Sequence, residues 1–310
     1  MIKILVTGGS GMLGSAMIRS LRSAHTCILS PSRNQLNLLD YENTRQYIER
    51  NNPDIVVHCA ARVGGILGNI HNSVNFLSEN ILIDFNLMSV CLKFRIKQLL
   101  YFGSSCMYPV TAIQPFKPEI LLSGKPETTN ESYALAKLSG WKMTQAVSFT
   151  HNLDWKTWIL SNLYGPGDHF DPARSHLIAA IISKVSSAVR EKQSRIDIWG
   201  SGTPKREFTY VEDVSEYLAF SLSSFHKLPQ TMNLGSGQEF SVMEYYEIVA
   251  KLYGFAGSLV LDPTKPDGAM RKLMDSKVAQ TWGWKSRTDL ELGLSRTIEW
   301  YEESSRGERL

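Results

Sequence analysis

Short apolar runs alternate with longer amphipathic stretches through the first half of this 310-residue chain. Lys3 to Val6 reads as a buried strand, and the apolar positions Met17, Ile18 and Leu21 place a helix after the turn that follows it. A second strand is predicted over Thr26 to Leu29, then a helix around Tyr41 to Arg50 and a strand at Ile55-Val56-Val57. A long helix is predicted from about Asn75 to Phe94, a strand over Gln98 to Phe102, and a second long helix from near Glu131. The strand Thr157 to Leu160 then ends at Asn162. Strands and helices alternating at these lengths predict an α/β fold, a doubly wound parallel sheet with helices on both faces.

Beyond Asn162 the alternation loosens, and Gly165-Pro166-Gly167-Asp168 and Asp171-Pro172 mark a turn-rich exit. Ser175 to Val189 reads as a helix and Ile196 to Trp199 as a short strand before Gly200-Ser201-Gly202. Val211 to Leu222 reads as a helix returning to the first domain, and the C-terminal third holds two more helices and a loop over Pro263 to Arg271. The expected division is a nucleotide-binding domain over 1–165 plus about 208–232. A smaller α/β substrate domain would take 166–207 and 233–310.

Composition narrows this little: apolar residues make up 43% and charged residues 20%, an ordinary globular balance. No apolar run is long enough to span a bilayer, so no membrane partner is expected. The N-terminus enters a glycine turn after six residues without a signal-peptide pattern, which predicts a cytoplasmic protein. Four cysteines at 27, 59, 91 and 106 show no metal-ligand spacing, so no metal is expected and disulfides are not. The net charge of +3 is scattered and forms no stripe that would suit nucleic acid.

Gly8, Gly11 and Gly14 stand between a strand and a helix as G-x-x-G-x-x-G, with Met12 and Leu13 inside the motif. Such glycines allow a tight turn, close approach of a pyrophosphate and close helix–strand packing, the signature of a Rossmann-type dinucleotide site. The second strand runs into Ser30-Pro31-Ser32-Arg33, with no acid before Asp40 to hold a ribose 2′-hydroxyl. Arg33 suits a 2′-phosphate, so NADP(H) is expected over NAD.

Tyr133 and Lys137 lie one helical turn apart, and Ser104 follows a strand. A cation beside the phenol is expected to pull its pKa down toward the working range, while the serine orients a carbonyl. Together with the glycine motif this set resembles the extended short-chain dehydrogenase/reductase family over nearly the whole chain.

Cys106 does not belong to carbonyl reduction. Where the 4,6-dehydratases of that family carry Asp-Glu after the catalytic Ser/Thr, this chain has Ser105-Cys106. The string Gly103 to Pro109 resembles instead the branch that epimerises and reduces GDP-4-keto-6-deoxy-D-mannose to GDP-L-fucose. Further strings follow in order: Leu36 to Asp40, Ala60 to Ile66, Asn162 to Pro166, Ser175-His176, Trp199 to Phe208, and Lys265 to Gly268 with Arg271-Lys272. The resemblance implies a catalytic set of Ser104, Cys106, Tyr133, Lys137 and His176. Cys106 and His176 would be the base and acid of epimerisation, in an order left open. It extends the cofactor residues to Met12, Leu13, Asp40, Ala60, Asn162 and His176, besides Tyr133 and Lys137. It implies a GDP-sugar as partner, with Arg206 and Arg271 toward its phosphates and Trp199 toward base or ribose. Lys184 stands where the family often has Arg, which weakens a phosphate role for it. Homodimerisation through the helices near 75–94 and 131–152 is expected by analogy. The other histidines, including His58, are expected to be structural.

Overall fold

The computed structural model describes residues 1–65, 68, 71–171, 175–265 and 267–307, so Ile66, Pro172 and Pro266 of the strings above lie outside the described residues. The first half builds β1 (Ile2–Thr7), α1 (Met12–Leu21), β2 (Thr26–Leu29), α2 (Tyr41–Asn51), β3 (Ile55–His58), α3 (Ser73–Lys93), β4 (Gln98–Ser104), α4 (Glu131–His151) and β5 (Asp154–Leu160). Then follow β6 (Asn162–Tyr164), α5 (Leu177–Arg190), β7 (Arg195–Trp199), β8 (Lys205–Tyr210), α6 (Val211–Ser221), β9 (Thr231–Leu234), β10 (Glu239–Ser241), α7 (Val242–Tyr253), β11 (Ser258–Asp262), β12 (Arg271–Lys272), α8 (Lys277–Thr281) and α9 (Leu290–Ser305). After α6 the described residues therefore carry three helices and not the two expected. The five-residue α8 is too short to show a helical period.

The main sheet is parallel, in the order β2-β1-β3-β4-β5-β9. Its strands are near-continuous Ile, Val and Leu because both faces are covered. Alternate residues feed two cores. Leu5, Val56, Leu99 and Tyr101 pack with Leu87, Met88 and Cys91 of α3 and Leu138 and Trp141 of α4. Ile4, Val6, Val57, Leu100 and Trp158 pack with Met17 and Leu21 of α1 and Val214 and Leu218 of α6. Ser20 and Ser215 are hydrogen-bonded at 2.7 Å across the α1–α6 contact.

A third core joins Ile178, Ile181, Ile182 and Val185 of α5 to Ile196 and Ile198 of β7, Phe208 of β8 and Tyr245 and Val249 of α7. The spacing on α5 is that of one helical stripe. Here β8 pairs with β10, β12 and β6, and β7 pairs with β11. In the main sheet the order reverses at β1/β3, and ligands of such sheets bind beyond the carboxyl ends of the strands at that point.

Candidate active site

Thr7 and His58 end β1 and β3 side by side, so the loops after them meet at the reversal. Gly8 has φ +67°, and a Cβ there would lie 2.8 Å from the backbone of Ala60. A Cβ on Gly14 would stand 2.1 Å from the Gly8 carbonyl oxygen, so the first turn of α1 closes on the loop only with glycine. Gly11 differs: its nearest neighbour would be the Gly8 oxygen at 3.4 Å, leaving open space beside a helix start that no side chain caps. Uncapped N–H groups and a clear approach suit a pyrophosphate. Met12 and Leu13 form that first turn. Arg33 is exposed after β2. Asp40 has a structural use, accepting from Asn43 N at 3.0 Å as the N-cap of α2. Asn162 donates to the Glu207 carbonyl at 3.2 Å, tying β6 to β8.

Ser104 ends β4 and Cys106 lies in the single 3₁₀ turn that follows. The Cys106 N–H donates to Ser104 Oγ at 3.3 Å, which occupies an acceptor lone pair and leaves the serine proton for a carbonyl oxygen. Tyr133 and Lys137 lie in the first two turns of α4, and Lys137 Nζ sits 4.5 Å from the Tyr101 ring centre and 6.0 Å from that of Tyr133. The expected depression of the Tyr133 pKa is corrected here. Burial, first, and then the Cys106 and Asp84 charges push the phenol well above its usual value. Lys137, with Nζ 6.0 Å from the ring centre, does not offset that desolvation in the resting enzyme. The tyrosine therefore rests protonated, the form a proton donor needs. Burial also pushes Lys137 down, countered chiefly by the charge of Asp84.

Arg206, on β8, is within electrostatic reach of Cys106 and supplies positive charge beside the thiol. Its guanidinium is largely desolvated, which lowers its pKa, while Glu127, Asp267, Tyr245 and Cys106 act to raise it. His176 is the N-cap residue of α5, is exposed, and makes no side-chain bond to that helix, so it is not a capping histidine. The helix begins two residues later than Ser175. Among the described residues no hydrogen bond joins His176 to Cys106. The nearby carboxyl is Asp168: burial raises its pKa, and the His176 charge opposes that rise.

The remaining substrate candidates separate. Residues paired across a ladder share a face. Arg206 is opposite Phe240 and Lys272, whereas Arg271 is opposite Lys205, its neighbour along β8. Arg206 and Arg271 thus emerge on opposite faces. Arg271 is engaged by Glu239 at 2.8 Å, so a phosphate role for it requires breaking that pair. Lys184 donates to the backbone carbonyl of Asp197. Trp199 is 61% exposed at the end of β7 with Lys265 Nζ 5.6 Å from its ring centre.

Sequence reasoning missed Glu127, which binds Lys272 at 2.6 Å and lies in the field of Arg206. It also passed over Asp168 and the buried Asp84 and Tyr101, whereas His58, expected to be structural, is buried and bonded to Thr7 and Asp84. An acid in the apolar stretch Ile81 to Met88 was an available signal, since buried carboxylates need partners. All four cysteines are free, and no cluster of metal-ligating side chains occurs among the described residues. Among the described residues no helix is long and apolar enough to cross a membrane.

A glycine-lined loop at the sheet reversal, beside a serine, tyrosine and lysine at the carboxyl end of β4 and the start of α4, defines a nucleotide-dependent oxidoreductase of the short-chain type. The chain belongs to the NAD dependent epimerase/dehydratase family, whose model matches residues 4–235. It is 38% identical over 301 residues to the GDP-L-colitose synthase of Yersinia pseudotuberculosis, covering 97% of this chain and 98% of that one. It is 40% identical over 297 residues to the GDP-L-fucose synthase of Sinorhizobium fredii, covering 96% and 94%. Among solved structures it superposes on the GDP-mannoheptose C4 reductase from Campylobacter jejuni with NADP bound, with a TM-score of 0.87 at 26% identity over 97% and 98% of the two chains.

Proposed function

We propose that the chain is an NADP(H)-dependent 3,5-epimerase and 4-reductase that converts GDP-4-keto-6-deoxy-D-mannose to GDP-L-fucose. The observation that carries this is Cys106, bonded through its N–H to Ser104 Oγ and within electrostatic reach of both Tyr133 and Arg206. A reductase needs no thiol there, whereas inversion beside a ketone needs a base and an acid on opposite faces of the sugar.

The 4-ketone acidifies the protons at C3 and C5. Ser104 holds the ketone oxygen and stabilises the enolate as a proton leaves. Cys106 and His176 remove and return protons, the one within electrostatic reach of Arg206 and the other of Asp168. Bound NADPH supplies the hydride to C4. Tyr133, kept neutral by burial, delivers the proton to the C4 oxygen, and the Lys137 ammonium stabilises the phenolate that remains. Gly8, Gly11 and Gly14 with the start of α1 hold the pyrophosphate, and Arg33 the 2′-phosphate. Arg206 is the nearer candidate for the GDP phosphates. The dinucleotide domain comprises 1–165 with about 208–232, and the remainder binds the sugar nucleotide.

A homodimer through α3 and α4 is part of this reading. Val74, Ile81, Leu82 and Phe85 on α3 and Leu135 and Phe149 on α4 are exposed apolar residues on two adjacent helices. A second copy would cover them. A cytoplasmic location is supported by the four free thiols.

The likeness to a C4 reductase favours one second reading, reduction of a related GDP-4-keto sugar without epimerisation. Incubation with GDP-4-keto-6-deoxymannose and NADPH in heavy water separates the two. NADPH oxidation with deuterium at C3 and C5 is expected. Oxidation without label points to the plain reductase, and no oxidation overturns both.

A further inference from the structure

Beneath the reductase centre runs a chain of buried polar groups that the proposed chemistry does not use. The Ala60 N–H donates to Thr7 Oγ1 at 3.2 Å, and that hydroxyl meets His58 Nδ1 at 2.8 Å. His58 Nε2 meets Asp84 Oδ1 at 3.0 Å, and the Tyr101 hydroxyl donates to Asp84 Oδ2 at 2.5 Å. Thr7, His58, Asp84 and Tyr101 are each 3% exposed or less. One set of protons satisfies every link: Thr7 donates to Nδ1, a neutral His58 donates from Nε2, and an ionised Asp84 accepts from both sides.

The chain ends under Lys137, whose ammonium lies over the Tyr101 ring and makes no hydrogen bond among the described residues. Gly140, three residues further along α4, makes room for this end. A Cβ there would come within 2.4 Å of the Tyr101 hydroxyl oxygen and 2.7 Å of Asp84 Oδ2. A buried carboxylate is expensive where only packing is needed. Five elements contribute here to seating one.

We propose that Asp84 is a positioning residue for the reduction: its charge, seated by Tyr101 and His58, holds Lys137 in the ammonium form and couples it to the cofactor loops at Gly8 and Ala60. The proposal rests on Lys137 serving the reduction. The titratable groups facing Lys137 are Tyr133 from α4, Tyr101 from β4, Asp84 from α3, and His58 and Cys59 from the end of β3, with Cys106 beyond Tyr133. Burial favours the neutral forms of Cys59, Tyr101 and Tyr133, which leaves Asp84 as the counter-charge at this end of the pocket.

The test is Asp84→Asn, which removes the charge and keeps the size. Without its counter-ion Lys137 gives up its proton at lower pH. The alkaline limb of kcat should therefore move down by about one pH unit, and NADPH affinity should fall off at the same lower pH. Asp84→Glu should keep the parental limb even where kcat drops. A folded Asp84→Asn protein with both limbs unmoved would overturn the proposal and leave the network a matter of packing. Should Asp84→Asn not fold, the triple change His58→Phe, Asp84→Leu, Tyr101→Phe removes the charge together with both groups bonded to it, leaving the Thr7 hydroxyl without its acceptor, and is judged by the same two limbs. Should the parent fail to turn over the GDP-4-keto sugar, the functional reading fails alone. The pH dependence of NADPH affinity then decides the role of Asp84.

Discussion

Gly11 and Gly14 belong to one motif, yet the structure assigns them different work, and Gly→Ala at each separates the two. At Gly14 a Cβ would meet rigid backbone: the Gly8 oxygen at 2.1 Å, the Gly8 carbonyl carbon at 2.7 Å and the Gly9 Cα at 2.9 Å. Overpacking of that kind costs about 1–3 kcal/mol, and here the whole loop must shift. Alanine returns up to about 1 kcal/mol in helix propensity, so with the overpacking at the upper end of its range a net loss of about 2 kcal/mol is expected. At Gly11 the methyl would meet one atom at 3.4 Å, and the extended backbone, φ −83° and ψ 168°, accepts an L-residue. Its poorer N-cap and its stiffer unfolded chain offset each other, so stability should stay within about 0.5 kcal/mol. The same methyl stands in the approach to the start of α1, and NADPH should bind at least tenfold more weakly, about 1.4 kcal/mol. Urea unfolding at constant slope gives the first quantity and a fluorescence titration with NADPH the second. The division of labour is refuted if Gly11→Ala binds NADPH like the parent, or if Gly14→Ala unfolds at the parental urea midpoint.

Four further outcomes are expected. Cys106→Ala should abolish deuterium incorporation at C3 and C5 while leaving NADPH affinity within about twofold; full labelling in that variant would remove Cys106 from the epimerisation. Arg33→Ala should weaken NADPH by tenfold or more and leave NADH nearly unchanged, and equal losses for both nucleotides would reject the 2′-phosphate contact. Glu207 is fully buried and its carboxyl is pushed from 4.5 up to about 7, so between those values the unfolded chain has lost a proton that the folded one keeps. Stability should therefore fall as pH rises through that window, by about 3 kcal/mol, and level off above it; an unchanged slope in Glu207→Gln would show that another group is responsible. Phe85→Asp, at a position 53% exposed on α3, should convert a dimer to monomers in sedimentation at unchanged helix content, and an unaltered mass would clear that face of any role.

Most of the doubly wound sheet was legible because strand length, helical period and glycine spacing are local properties: β1 to β5 begin or end within a few residues of the expected strands, whereas β9 (Thr231–Leu234) was not foreseen. Where the reading fell short the cause was also physical. Ser104 belongs to β4 because the strand continues two residues past its apolar run. The helix α8 escaped notice because five residues carry no period. Asp84 and His58 look like ordinary interruptions of apolar segments until α3 and β3 are packed together.

What the sequence by itself determined is the strand–glycine–helix start, the one-turn spacing of Tyr133 and Lys137, and the thiol two residues after Ser104. Each of these needs only neighbours along the chain. Tertiary structure alone decided that Arg206 on β8 and Arg271 on β12 leave opposite faces of their sheet, that Lys184 is taken by a backbone carbonyl, that Tyr133 rests as a neutral phenol, and that a buried carboxylate faces Lys137. Ladder register and desolvation arise between segments far apart in the chain, and no local spacing encodes either.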